Sequence, residues 1–188
     1  YGAVTGNTVR HWFLYGIEFP WDTHHCTASG NTFYDSGPGV FGVSISQTAK
    51  HIVFTGNVMN HASVGNPAFA IGGGSSTVQF ITISNNRITK SSTSDCIFVN
   101  QAQWVSVIGN QISATDGAAH NMVVFDTVRG ILCTDNVISD YSTGAGIVTV
   151  AASTHVKIND NVFYNGTTGL NIQTALGSPN STDRNIGP

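Results

Sequence analysis

Charge is scarce in this 188-residue sequence: Asp, Glu, Lys and Arg make up 9% of it, about a third of the usual quarter. Glutamate occurs once, as Glu18, and leucine four times, against 19 Val, 16 Ile and 21 Thr. The residues that fill helices are nearly missing and those that fill strands abound, which excludes a helix-rich fold. Seven Lys and Arg against ten Asp and Glu leave a net charge of −3, with no basic stripe for nucleic acid or an anionic membrane surface. Apolar runs stop after four or five residues, far short of a bilayer span. No signal-peptide pattern is present, and a chain opening at Tyr1 reads as a mature or trimmed fragment. The length suits one domain.

What the sequence has is repetition. An Asn preceded by a short β-branched run recurs at Asn7, Asn31, Asn57, Asn86, Asn110, Asn136 and Asn161, at intervals of 24, 26, 29, 24, 26 and 25 residues. The segments read V-T-G-N-T-V, A-S-G-N-T-F, F-T-G-N-V-M, I-S-N-N-R-I, V-I-G-N-Q-I, C-T-D-N-V-I and I-N-D-N-V-F. Further β runs lie at Ile17–Phe19, Val43–Ile45, Phe69–Ile71, Ile97–Val99, Val123–Phe125, Val148–Val150 and Leu170–Ile172, so every repeat carries three short strands. Two residues after each Asn the side chain is always apolar, and three before it always uncharged, so these positions face a continuous core. The residue just before the Asn is Gly, Asn or Asp, which suits a left-handed bend. A rung of this kind buries its apolar face only against neighbouring rungs. The sequence therefore predicts an all-β parallel β-helix over residues 1–175, about seven to eight coils of three short strands, about 35 Å long at about 4.8 Å per coil. From Thr174 the repeat gives way to Gly, Pro, Ser and Asn, and residues 176–188 read as a linker or capping tail.

The bend motif with its paired strands resembles the right-handed, single-stranded parallel β-helix of the pectate-lyase-like superfamily. Its members include polysaccharide lyases, glycosidases, epimerases and phage tailspikes. The resemblance covers residues 1 to about 175. It implies a buried asparagine ladder between the second and third strands, which the seven Asn fit as scaffold. It also implies that a sugar chain lies on the outer face of the first strand sheet or in the groove beside the long bends.

Aligned on the Asn, that face comprises Glu18, Ser44 and Ser46, Ala70 and Gly72, Phe98 and Asn100, Val124 and Asp126, Thr149 and Ala151, and Asn171 and Gln173. Glycoside hydrolysis usually takes two carboxylates about 5–10 Å apart. Glu18 and Asp126 stand roughly 19 Å apart at β spacing, too far to serve one bond. The densest chemical neighbourhood is W-D-T-H-H-C at Trp21–Cys26, where His24 or His25 pairs with Asp22 or Glu18 as a general base. Glu18, Asp22, His24, His25 and Asp126 are the candidate catalytic residues. No Asp cluster suggests calcium, and nothing in the spacing makes Asp22, His24, His25 and His51 converge on zinc, so neither metal nor cofactor is expected. Six residues before each Asn runs an outward column of His25, His51, Phe80, Trp104, Gly130 and His155. Its stacked rings either offer a platform for sugar faces or cover the sheet edge. Trp21, His51, Trp104 and Asn100 are the candidate substrate-binding residues, with Lys50 and Arg129 in a bend column shared with His24.

Cys26, Cys96 and Cys133 fall in different repeats, so free buried thiols are expected rather than a disulfide framework. Two sequons, at Asn165 and Asn180, fit surface bends. The expected function is a carbohydrate-recognising segment of a phage-tailspike-like protein, on a virion surface or secreted. As a homotrimer it binds a bacterial surface polysaccharide and, in the parent protein, cleaves it. The alternatives are a secreted polysaccharide lyase, glycoside hydrolase or epimerase, and a non-catalytic structural or adhesin rod. Nucleic acid and membrane insertion are not expected.

Overall fold

Runs of Val, Ile and Thr form short strands because branched side chains fit a pleated, half-buried surface. In the computed structural model, which describes residues 1–34, 36–62, 65–72, 77–91, 93–115, 121–150, 153–172, 182 and 184–187, each strand pairs with the equivalent strand one repeat away. The sheet before the Asn bend joins β1 (Gly2–Thr5), β4 (His24–Ser29), β7 (Lys50–Thr55), β10 (Val78–Ser84), β13 (Ala102–Ile108), β16 (Arg129–Thr134) and β19 (Thr154–Asn159). The sheet after the bend joins β2 (Thr8–Arg10), β5 (Thr32–Tyr34), β8 (Val58–His61), β11 (Arg87–Lys90), β14 (Gln111–Ala114), β17 (Val137–Ser139) and β20 (Val162–Tyr164). A third sheet joins β3 (Tyr15–Phe19), β6 (Phe41–Ile45), β9 (Phe69–Gly72), β12 (Ile97–Asn100), β15 (Val123–Asp126), β18 (Ile147–Val150) and β21 (Leu170–Ile172). All pairs are parallel and there is no helix among the described residues, as the repeat predicts.

The Asn residues tie the coils together. From Asn31 on, each uses one side-chain oxygen to accept both the backbone N–H and the Nδ2–H of the Asn one rung earlier. Asn110 Oδ1 takes Asn86 N at 3.0 Å and Asn86 Nδ2 at 3.0 Å, while Asn110 Nδ2 donates to Asn136 Oδ1 at 3.0 Å and Ile83 O at 2.9 Å. The same pattern begins at Asn7 and Asn31. The residue before each Asn is left-handed, from Gly6 at φ 65° to Asp160 at φ 58°. Inward positions on either side of the bend, among them Phe33, Phe54, Met59, Ile83, Ile112 and Phe163, are buried in one core. Each such side chain contributes about 1.5–3 kcal/mol. Val4, on β1, is 37% exposed.

Two expectations need correcting. The ladder extends one member beyond the repeat: Asn161 donates from N and Nδ2 to Asn185 Oδ1, both at 3.0 Å, and Ile186 bridges Val162. The residue preceding Asn185 is Arg184, left-handed at φ 57°, and an arginine there hides the Gly/Asn/Asp signal. Most of the 176–188 tail, including Asn180, lies outside the described residues, as do Ala151 and Gln173. Second, Thr149 pairs with Phe125 and is buried, while Val148 pairs with Val124. The inter-strand loops differ in length, so counting from the Asn slips by one residue there. The cysteines are free, and Cys96 and Cys133 are buried; burial pushes the Cys96 thiol up to about 12. Cys26 is half-buried, with only β1 above it.

One buried pair is polar. Lys90 Nζ lies 3.1 Å from His61 Nδ1, and His61 Nε2 lies 3.0 Å from Val40 O. The ammonium donates to Nδ1 and the Nε2–H donates to the carbonyl, which requires a neutral ring. Burial, followed by the Lys90 charge, lowers the His61 pKa from 6.5 to about 3.

Two outcomes follow for stability. Asn110→Ala orphans buried donors and an acceptor on both neighbouring rungs and should cost about 3 kcal/mol or more in urea unfolding, whereas Asn7→Ala at the exposed end should cost under about 1 kcal/mol. Because the unfolded chain binds a proton at His61 more readily than the folded one, stability should fall as pH drops from 6.5 toward 3. Melting temperatures across that range test this, and His61→Asn, which keeps an acceptor near Lys90, should flatten the slope.

Candidate functional site

In the sheet before the bend, one outward position in each strand from β4 to β19 takes a left-handed backbone: His25, His51, Phe80, Trp104, Gly130 and His155, with φ of 53°, 56°, 57°, 58°, 77° and 56°. For residues other than Gly this costs roughly 1–2 kcal/mol each. It turns the side chains out of the pleat, where ring contacts along the rod offset the cost. Tyr1, His25, His51 and Phe80 stack in order, with centroids 4.9, 4.5 and 4.7 Å apart and interplanar angles of 14°, 4° and 7°. The stack stops there. Trp104 lies across Gly130, so that a Cβ on that glycine would stand 2.3 Å from its Cε3 and 2.8 Å from its Cζ3. The indole is 44% exposed, and His155 meets it edge-on at 6.4 Å and 61°.

This break opens a groove of about 500 Å³. His51, Phe80, Trp104, Gly130 and His155 form one side, and Thr82, Ser106, Leu132 and Lys157, which share the next outward column, form the other. The seven strands of this sheet hold no Asp or Glu, yet Lys50, Arg129 and Lys157 are three of the chain's seven cationic Lys and Arg residues. Of these three cations Lys157 lines the groove, which therefore combines an aromatic ring, hydroxyls and one ammonium.

The other residues expected from the sequence are spread out. Glu18 is exposed on β3, in register with Ser44 and, four strands along the same sheet, with Val124. Asp126 is half-buried at the end of β15, takes a hydrogen bond from Thr127 Oγ1 at 3.0 Å and sits beside Asn100 of β12. Asp22 is exposed in the turn before β4 and accepts from Thr48 Oγ1 at 2.8 Å. His24 is half-buried, edge-on to His25 at 6.4 Å, and its buried Nε2 has no hydrogen-bond partner among the described residues. Trp21 is 68% exposed. Lys50 and Arg129 do share a column with His24, completed by Gln79 and Gln103. On the outer face of the third sheet Phe98 and Val124 pack with Ala145, Val148 and Val150 in a separate apolar cluster. Among the described residues no three His, Cys, Asp or Glu side chains are placed to hold a metal.

His51 and Trp104 are the expected binding residues that the fold brings into the groove. Phe80, Gly130 and His155 were visible as members of the same column, but Lys157 was missed. Its signal is the shared register with Thr82 and Ser106, which appears once strand pairing is known. A family model described as a right-handed beta helix region matches residues 15–185. Comparison with curated proteins gave no match.

The stack also shapes titration. Cover by neighbouring groups first, then the His51 and His24 charges, lower the His25 pKa below 6.5. In an NMR titration the His25 midpoint should lie under 6.5, and His51→Ala should move it back upward.

Proposed function

The chain belongs to the right-handed β-helix family, and from that premise we propose that it is a carbohydrate-recognising rod that holds a polysaccharide in the groove over Trp104. The observation that carries this is the indole lying across Gly130 while still 44% exposed. A pyranose has an apolar C–H face and a rim of hydroxyls; a flat aromatic floor beside Thr82, Ser106, His155 and Lys157 complements both. The missing carboxylates on this sheet favour binding over cleavage in the groove, since glycoside hydrolysis usually needs two.

In its finer form the proposal is a segment of a phage-tailspike-like homotrimer, working outside the cell on a bacterial surface polysaccharide. Glu18 and Asp126 stand on strands β3 and β15 with three strands between them, so cleavage in that setting draws on a neighbouring subunit. A second reading, a purely structural rod, is favoured by the closed ring stack from Tyr1 to Phe80, which covers ring faces that a sugar would need.

On an array of bacterial surface polysaccharides, Trp104→Ala should weaken binding about tenfold or more, as loss of an aromatic anchor does. Glu18→Gln, Asp22→Asn and Asp126→Asn should leave it unchanged. Undiminished binding by Trp104→Ala would remove the groove as the site, and a strict monomer by sedimentation would remove the trimer.

A further inference from the structure

The outward column holds a ring at five of its six places between β4 and β19, and Gly130 fills the sixth. The backbone, at φ 77°, favours glycine there but does not by itself exclude a side chain. His25, His51, Phe80, Trp104 and His155 carry side chains in the left-handed conformation in the same column, at φ of 53–58° and at a cost of roughly 1–2 kcal/mol each. What excludes a side chain is the indole. A Cβ at position 130 would fall 2.3, 2.8 and 2.9 Å from three carbons of the Trp104 ring, and Cβ atoms essentially never approach other heavy atoms within 3.0 Å. Even alanine at 130 would lift the ring off the sheet.

The consequence for binding comes from how faces are shared. A ring stacked at 4.5–4.9 Å on both sides, as His25 and His51 are, offers only its edge to a ligand. Phe80 stacks on His51 by one face, and its other side faces the groove that Trp104 leaves by tipping over Gly130. The open aromatic faces therefore occur together, at the place where the column is empty.

We propose that Gly130 is the specificity-determining residue of the groove: the single empty place in the outer column lets Trp104 lie flat and confines glycan recognition to one position along the rod. This rests on the carbohydrate reading of the groove. Gly130 itself acts through Trp104, as a positioning residue.

The test uses the full chain as Gly130→His, which supplies the ring type that recurs in this column, and as Gly130→Ala, which adds only the Cβ. Three readouts are taken: melting temperature, the indole Nε1–H resonance of Trp104 assigned with Trp104→Phe, and binding to the polysaccharide array. The expected result is a shifted Trp104 resonance in both variants, with array binding reduced about tenfold or more in Gly130→His. A Trp104 resonance unchanged in the folded Gly130→Ala protein overturns the inference. So does wild-type binding that Gly130→His matches, and in that case the groove still stands as a carbohydrate site. Absence of wild-type binding on the array overturns the carbohydrate reading and the inference with it.

Discussion

The asparagine ladder sets the geometry on which everything else depends. A buried amide that accepts two hydrogen bonds from one rung and donates to the next is satisfied only if successive bends lie directly over one another. Moving one coil by a residue would orphan groups on two rungs, at about 1–3 kcal/mol for each. The ladder thus fixes register in the two sheets that flank the bend, and register decides which side chains meet along the rod.

Parallel in-register stacking places like on like. Inside, this produces columns of Phe, Ile and Val that continue from coil to coil. Outside, it produces the ring column, in which each ring is the best partner for the next and a filled column satisfies itself. A regular solenoid therefore tends toward an inert surface, and distinctive chemistry arises where a column is interrupted. Gly130 is such an interruption, and the exposed indole beside it is the result. The buried Lys90–His61 pair is another departure from like-on-like stacking, this time within the core, and it ties stability to pH through the neutral ring it requires.

Much of the architecture was legible in the residues. The left-handed bends, the inward positions around each Asn and the outward column all follow from spacing, because the repeat is written in every coil. Legibility failed where one coil departed from the pattern. Arg184 replaced the bend residue and concealed Asn185, and a change in loop length exchanged Thr149 with its valine neighbours. The site was less legible than the fold. Glu18, Asp22 and Asp126 attract attention in a chain with so few carboxylates, and the spacing already sets Glu18 four coils from Asp126, as the fold does; the groove over Trp104 has no comparable signal in the residues.

The sequence alone determined the rung: three strands, a sharp bend and an asparagine that must be paired, since these depend on local conformation and on a period of about 25 residues. Tertiary structure alone decided where an aromatic face is open. That depends on the orientation of the Trp104 ring relative to a glycine 26 positions along the chain, and such an orientation is set by steric contact between rungs rather than by local preference.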